Sequence, residues 1–503
     1  MNAAAREHPD RIWLRADGLE LSYAEATAEV AHTRDLLLDT GVRRGDHVML
    51  TARTEPRYLI ALLAVTVLGG TAVPVNPRST TSELAGLLAQ LEAAGRLRAI
   101  VTDSELCSRF DNAPAPVVLV RDLSRTGRGG PVELSGDEVG EDDIAVMIPT
   151  SGTTGRSKLV MQTHRTHVLS GEGFAHWMGL GAEDRLMTCL PLFHTNALAY
   201  STMGSLAAGA GLVLLPRFSA STFLDAGRRH GATSFNAVGA MLAALLAQAK
   251  TPHDGDNPLR TCYAAPAPPE REHREFEQRF GVRLICGYGL SESTYGLVWR
   301  PGTRPFGTLG WPRQHPTLGA VNEVRVVDED GRDVEPGITG ELLLRNPTVT
   351  RGYFGMPEET AQVVRDGWLH TGDLVASSPD GTYRFVARKK EVIRRRGENL
   401  APAEVEEILL RHPGVADCGV VGVPAGLSEE EVKAFVVLAT GVTVRELRDW
   451  AAEHLAAFKV PRFWQVVPEI PRTPTNRIAR GVLAQGLPGN EVDLAPVVVR
   501  EGT

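Results

Sequence analysis

YLIALLAVTVLGGTAVPV, residues 58 to 75, is the most apolar stretch of the chain. As one element it would be a membrane helix. As two, it is the inside of an α/β domain. Gly69-Gly70 cuts it into a helix-length piece and a strand-length piece, because paired glycines stabilise neither a continuous helix nor a strand. The expectation is a buried helix, a turn and a buried strand in a soluble protein.

The flanking sequence repeats that alternation. SYAEATAEVAHTRDLLLDTG (22 to 41) and TTSELAGLLAQLEAAG (80 to 95) have helical periodicity. AIVTD (99 to 103), PVVLV (116 to 120) and GLVLLP (211 to 216) are strand-like. Through residue 240 or so this predicts an α/β fold with two helix-covered, mostly parallel sheets. From 318 the texture becomes β-rich: NEVRVVDEDGRDVEPGITGELLLR sets the turn signals DEDG and EPG between apolar runs. Beyond the charge run at ARKKEVIRRRGENLAP, a helix is expected near 403 to 412. Strands should follow at CGVVGV and KAFVVLA, then a helix at TVRELRDWAAEHL. The predicted organisation is a large N-terminal domain over 1–386 and a small, mobile α+β domain over 387–503.

A chain of 503 residues is too long for a single core. Its net charge of −8 leaves no basic surplus to displace counterions, which argues against nucleic acid as a partner. The five cysteines show no C-x-x-C spacing, so neither a zinc site nor a disulfide framework is suggested. The opening MNAAAREHPDR lacks an apolar h-region. A cytoplasmic setting follows as the expectation.

The strongest chemical signal is PTSGTTGRSK, 149 to 158, with two glycines, hydroxyl side chains and a closing lysine. Backbone N–H groups, hydroxyls and one cation around an open loop suit a polyphosphate. The P-loop spacing GxxxxGK[ST] is absent, and a flexible polar linker is the plain alternative. In CGYGLSEST, 286 to 294, Gly287 and Gly289 would let Tyr288 stand clear on a turn to stack a base. Ser291 and Glu292 there offer a hydroxyl and a carboxylate for phosphate and a divalent cation. A nucleophile elbow, GxSxG, begins at Gly289 but meets Ser293 at its fifth position. DGWLHTGDL, 366 to 374, would place Asp373 in a turn, able to take two ribose hydroxyls. Six cations crowd 388 to 396: Arg388, Lys389, Lys390, Arg394, Arg395 and Arg396. Such a run is usually a solvated face, but at a domain junction it could meet a phosphate-rich ligand.

In this order and spacing the motifs resemble the adenylate-forming superfamily of acyl-CoA synthetases, adenylation domains and luciferases. The likeness runs from LSYAEATAEVAHTRDLLLDTGVRRGDHV through LAAFKVPRFWQVVPEIPRTPTNRIARG, with GELLLRNPTVTRGYFGMPEET and DGWLHTGDL especially specific. That family joins a carboxylate to AMP from Mg-ATP, releases pyrophosphate, and passes the acyl group to a thiol. The resemblance implies that Ser151, Gly152, Thr153, Thr154, Gly155 and Lys158 hold the β- and γ-phosphates. It implies that Tyr288 stacks on adenine, Ser291 bonds the α-phosphate, Glu292 holds Mg²⁺, and Asp373 with Arg388 takes the ribose. Phe193 and His194 of LPLFHTNAL would stand beside the acyl group, with Asn236, Val238, Gly239, Ala264, Ala265 and Leu290 around the same site. Amino-acid-selecting relatives carry an acidic residue where His194 stands, which argues against an amino-acid substrate. Small side chains here suggest room for a bulky, mostly apolar acid. Lys390 would be the pivot of a swinging C-terminal domain, with Gly397 approaching the CoA pantetheine in the thiol-accepting pose.

Departures from the pattern carry information too. SKLV (157 to 160) replaces Pro-Lys-Gly-Val but keeps Lys158, and Ala425 stands where an acidic residue is common. Above all, PRTPTNRIARG (471 to 481) has Asn476-Arg477 where the family has Gly-Lys. The resemblance makes position 477 the cation that bridges carboxylate and α-phosphate in the adenylating pose only. Arginine keeps the charge but is planar and fork-shaped, so it is no neutral replacement for a compact ammonium. The expected activity is therefore weak acyl-AMP formation with retained conversion of acyl-AMP to acyl-CoA, the adenylate coming from a separate enzyme. The alternatives are a full two-step ligase with a working Arg477, a carrier-protein-loading enzyme, and a non-catalytic adenylate-binding protein. The absence of a carrier domain after residue 503 favours free CoA over a carrier.

Overall fold

The computed structural model describes residues 1–123, 132–134, 139–150, 157–395, 398–424, 430–439, 441–473 and 478–494. The expected sites Ser151, Gly152, Thr153, Thr154, Gly155, Gly397 and Arg477 lie outside these residues, as does Ala425. The chain divides into two compact units. One holds Met1–Arg325 and Leu343–His370, the other Val326–Leu342 and Thr371–Thr503. The second unit therefore begins earlier in the sequence than position 387.

In the first unit the 58–75 stretch is a helix over Pro56–Val67 and a strand over Thr71–Pro74, turning at Gly69 with φ 82°. That strand lies inside a six-stranded sheet, between His47–Thr51 and Ile144–Thr150. The sheet is parallel except for its edge strand, Lys158–Thr163, which runs antiparallel to Ile144–Thr150. A second, nine-stranded sheet has six consecutive parallel strands at its centre, from Arg283–Tyr288 through Thr261–Ala264, Ser234–Ala237, Arg185–Thr188 and Gly211–Leu214 to Ile12–Ala16. The carboxyl ends of parallel strands lie side by side, and in open α/β sheets ligands bind there.

The helices begin where the sequence gives cause. Tyr23–Asp39 starts at a capping box between Ser22 and Glu25, and Thr81–Ala93 at one between Thr80 and Glu83. Trp13, Leu14, Tyr23, Leu59, Leu62, Val65 and Leu212 are buried in one large cluster. No helix among the described residues is long and apolar enough to cross a membrane.

The second unit has its own core, built on Val405, Leu409, Val420, Val432, Val436, Leu447 and Trp464. Its four-stranded sheet pairs Val415–Pro424 antiparallel with Glu430–Leu438, then Phe463–Val466 parallel and Glu491–Asp493 antiparallel. Helices over Pro402–Leu410 and Val444–His454 complete the expected α+β pattern. The molecule is an α/β protein of two mostly parallel sheets with β-rich segments and a separate C-terminal α+β part.

Candidate active site

Three distant stretches of the first unit meet around one aromatic ring. Residues 349 to 354 run along the edge strand Lys158–Thr163, with a bridge between Val160 and Tyr353 and a bond from Phe354 N to Leu159 O at 2.9 Å. The same stretch touches the loop after Arg283–Tyr288 through the Ser293–Val349 bridge, and Thr350 N donates to Glu292 O at 2.7 Å. Tyr353, 6% exposed, donates its hydroxyl to Glu292 Oε1 at 2.9 Å, while the Lys158 ammonium sits 4.5 Å from the centre of the same ring. An acid and a base are thus held on one ring without neutralising each other directly. Each keeps capacity for a ligand of opposite charge.

Ser291 is fixed from behind. Buried Gln162 donates Nε2 to Ser291 O at 2.7 Å, and Thr195 Oγ1 donates to Ser291 Oγ at 3.4 Å. Thr195 adjoins His194, so the phosphate-type hydroxyl and the expected acyl-side residues are in contact through one threonine. Asn196 opens a π-helix over Asn196–Thr202, a rare conformation that often occurs at functional sites. Its Oδ1 accepts from Asn236 Nδ2 at 2.6 Å, and Asn236 Oδ1 is buried without a partner. Asn236 closes on the carboxyl end of Ser234–Ala237, Val238 and Gly239 begin the next helix, and Ala264 ends Thr261–Ala264. The Phe193 and His194 rings lie side by side, their centres 4.6 Å apart and their planes tilted by 58°. Burial pushes His194 down to about 4, so its imidazole is neutral at pH 7 and offers one donor and one acceptor rather than a charge.

Two expectations need correction. Tyr288 does not stand on a turn: it is the last residue of the strand Arg283–Tyr288. The flanking glycines serve packing instead. A Cβ at Gly287 would lie 2.6 Å from Arg313 Nη2 and 2.7 Å from the Tyr263 hydroxyl, and one at Gly289 would lie 2.7 Å from the Tyr200 hydroxyl. Arg313, fully buried, donates to Thr294 O at 2.7 Å and Leu297 O at 3.1 Å and holds the loop that carries Ser291 and Glu292. Asp373 is not in a turn either. It lies within the strand Trp368–Ser377, fully buried, opposite Arg388 across the pair with Tyr383–Arg388. Gly372, at φ 68°, gave the turn signal but sits inside that strand.

The second unit sorts the cation run by function. Arg388 Nε lies 2.6 Å from Asp373 Oδ1 and Lys389 Nζ lies 3.1 Å from Glu341 Oε2. Arg395 is buried and donates to Phe458 O and Val460 O at 2.8 Å each, a structural tie. Arg394 is the most exposed of these four, at 72%, and lies 4.0 Å from Glu329 Oε1. Lys390 is exposed in the short 3₁₀ turn Lys389–Glu391.

Among the described residues no group of three His, Cys, Asp or Glu could enclose a metal ion. Glu292 nevertheless fits Mg²⁺, which is commonly held by one carboxylate together with substrate phosphates and water. Tyr353 orients that carboxylate through its hydrogen bond to Oε1.

The sequence profile of the AMP-binding enzymes matches residues 1–354, and that of the AMP-binding enzyme C-terminal domain matches 404–477. The chain belongs to the AMP-binding enzymes. Crotonobetaine/carnitine–CoA ligase from Salmonella agona (strain SL483) is 30% identical to this AMP-binding enzyme over 484 residues, 92% of either chain. The o-succinylbenzoate CoA synthetase of Bacillus subtilis, in complex with its acyl-adenylate intermediate, superposes with a TM-score of 0.85 at 29% identity, covering 97% of this chain and 98% of that one. An anthranilate CoA ligase in complex with anthranoyl-AMP does so with a TM-score of 0.84 at 26% identity, covering 96% and 97%.

Tyr353, Gln162, Thr195, Asn196 and Arg313 were not singled out from the sequence. Tyr353 lies within the specific stretch GELLLRNPTVTRGYFGMPEET, so the signal was present without a partner to explain it.

Proposed function

We propose that this AMP-binding enzyme is an acyl-CoA ligase working through an acyl-AMP intermediate, slow at making the adenylate and competent at converting it to the thioester. The observation that carries the ligase reading is the Lys158–Tyr353–Glu292 arrangement, a cation and a carboxylate held on one ring beside the Ser291 hydroxyl. Phosphoryl chemistry depends on such positioning and charge neutralisation more than on covalent catalysis. The relatives support the reading, being CoA ligases by name, and one neighbour holds ATP and a magnesium ion.

In this reading Lys158 attracts the phosphates, Ser291 donates to the α-phosphate, and Asp373 with Arg388 takes the ribose. Mg²⁺, when bound at Glu292, would neutralise phosphate charge. Neutral His194 with Asn196 and Asn236 lines the acyl side and offers hydrogen bonds without a counter-ion, in keeping with an acid that carries no ammonium. In the second half-reaction the CoA thiol gives up its proton to solvent and its sulfur attacks the acyl carbonyl, the carbon–oxygen bond of the acyl–phosphate anhydride breaks, and AMP leaves with the electron pair. The small C-terminal domain swings about Lys390 between the half-reactions.

Arg477 carries the second part of the proposal. A fork-shaped guanidinium in place of an ammonium misplaces charge in the adenylating pose, and an error of about 1 Å costs on the order of 10²-fold in rate. The thiol-accepting pose does not use that position, so acyl-AMP supplied by a separate enzyme is consumed normally. The five unpaired cysteines suit a reducing cytoplasm. Screening synthetic acyl-adenylates with CoA tests the ligase reading and names the acid. Thioester formation from at least one of them is expected. If none reacts while adenylate still binds, the enzyme reading gives way to a binding protein.

A further inference from the structure

The edge strand Lys158–Thr163 has two faces, and the candidate active site uses one of them. Side chains alternate along a strand, so Lys158, Val160 and Gln162 share a face, and the Val160–Tyr353 bridge brings Tyr353 to it. Leu159 and Met161 belong to the opposite face. There Met161 stands directly across from Met147 in the pair with Ile144–Thr150, and Phe354, the neighbour of Tyr353, joins the same cluster. Where the strands His47–Thr51, Thr71–Pro74 and Ile144–Thr150 begin, this second face opens into a cavity of about 310 Å³. His47, Thr71, Met147, Met161 and Phe354 line it. None of these side chains has a part in the adenylate site.

Two arginines stand at the mouth. Arg44 precedes the strand His47–Thr51 and Arg96 precedes Leu97–Thr102, and both are exposed. Glycines make room for them: a Cβ at Gly45 would lie 2.9 Å from Arg96 Nη1, and one at Gly69 would lie 3.0 Å from Arg44 Cγ. Gly45 N donates to Gly69 O at 2.9 Å, which joins the two turns. Arg44 Nη2 lies 2.8 Å from Asp143 Oδ2, so that pair is neutral as a unit. Arg96 donates to Gly45 O at 3.2 Å and makes no ion pair among the described residues, which leaves the lining with one surplus positive charge. Deeper in, His47 is 5% exposed, its ring edge-on to Phe354 with centres 5.0 Å apart, and its Nδ1 is buried without a partner among the described residues. Burial first, and the Arg96 guanidinium second, hold His47 down at about 4 against the pull of Asp46, so the imidazole is neutral at pH 7.

We propose that this cavity is a second ligand site, for a small apolar carboxylate, with the anionic group at Arg96 in the mouth and the apolar body against Met147, Met161 and Phe354. Each part of the lining restricts the class. A cavity at the low end of small-ligand sizes takes one ring or a short branched chain rather than a nucleotide. Thioethers adapt to a flat or a branched body alike. Inorganic phosphate would meet the cation but leave the thioethers and the Phe354 ring uncovered, and a neutral apolar molecule would leave Arg96 to water. A carboxylate with an apolar body uses both, through a charge-assisted hydrogen bond to the guanidinium. With His47 neutral and Arg44 paired, Arg96 is the cation that selects the charge. The inference does not rest on the ligase reading.

The test follows the ¹³C-labelled methyl groups of the nine methionines in the full chain by NMR during titration with phenylacetate. Met147→Leu and Met161→Leu, which conserve volume, identify the two signals from the cavity. Both signals should shift saturably. The dissociation constant should rise about 3-fold to 10-fold in Arg96→Met, from loss of one charge-assisted bond at an exposed position. Arg96→Lys should recover part of the loss, since an ammonium keeps the charge but not the fork. Arg96 is exposed, so its replacement leaves the fold intact, which the remaining methyl signals report. 2-Phenylethanol should bind the parent chain more weakly than phenylacetate does, and with the same affinity in Arg96→Met. Inorganic phosphate at equal concentration should leave both signals in place. No saturable shift of either signal, or shifts confined to other methionines, overturns the site. Equal phenylacetate affinity in the parent chain and Arg96→Met, or a response to phosphate matching that to phenylacetate, overturns the carboxylate assignment. The titration contains neither ATP nor CoA, so its failure leaves the ligase reading untouched, and failure of thioester formation leaves this site untouched.

Discussion

Replacing Tyr353 by phenylalanine removes one atom and asks what that atom does. The hydroxyl donates to Glu292 Oε1 at 2.9 Å, and the ring beneath Lys158 remains. A hydrogen bond to a charged group contributes about 1.5 to 3 kcal/mol when desolvated. Tyr353 is buried but Glu292 is half-buried, so water replaces part of the lost bond and the low end applies. A cost of about 1.4 kcal/mol is about tenfold in affinity. Calorimetry of Mg-ATP binding to Tyr353→Phe should accordingly show a dissociation constant raised about 5-fold to 10-fold, from loss of one charge-assisted bond. With EDTA in place of Mg²⁺ the two proteins should bind ATP alike, because the bond orients the carboxylate assigned to the cation. An equal loss with and without Mg²⁺ would refute that reasoning, and no loss at all would remove Glu292 from the metal role.

The buried pair in the second unit gives a stability test. Arg388→Met removes the guanidinium beside the fully buried Asp373 carboxylate and should lower the urea midpoint of the second unit by more than Asp373→Asn does. Equal, small costs would mean that the pair is solvated. The same burial means that Asp373→Ala weakens nucleotide binding and the fold together, so the two must be measured side by side. His167 predicts the pH dependence. Burial lowers it to about 3, so the unfolded chain takes a proton near pH 6.5 that the folded chain refuses until about pH 3. Stability from this group is complete above pH 6.5 and falls between there and pH 3, by about 2 kcal/mol between pH 6.5 and 5. His167→Leu should flatten the urea-midpoint profile in that interval, and an unflattened profile would show that the imidazole is protonated in the folded protein.

What could be read from the sequence was mostly local. The helices at 22–41 and 80–95 announced themselves because periodicity and a capping box lie within a few residues of each other, and both formed. Gly69-Gly70 divided the apolar stretch for the same reason. The missed residues depend on contacts made far along the chain. Tyr353 reaches Glu292 across 61 positions, and Gln162 reaches Ser291 across 129. No periodicity announces a π-helix at Asn196. Asp373 was misplaced because Gly372 looks like a turn locally, while pairing with Tyr383–Arg388 makes it a strand. Gly287 and Gly289 were recognised as necessary for the wrong reason, since the side chains that demand them belong to Arg313, Tyr263 and Tyr200.

The most direct measurement of the central claim is acid-dependent ATP–pyrophosphate exchange by the unmodified protein beside Arg477→Lys, using the acid whose synthetic adenylate reacts best with CoA. The account predicts exchange near background in the unmodified protein, a clear rise in Arg477→Lys, and thioester formation from the adenylate unchanged between them. Robust exchange by the unmodified protein would contradict it, making Arg477 a working catalytic cation and the chain an ordinary two-step ligase.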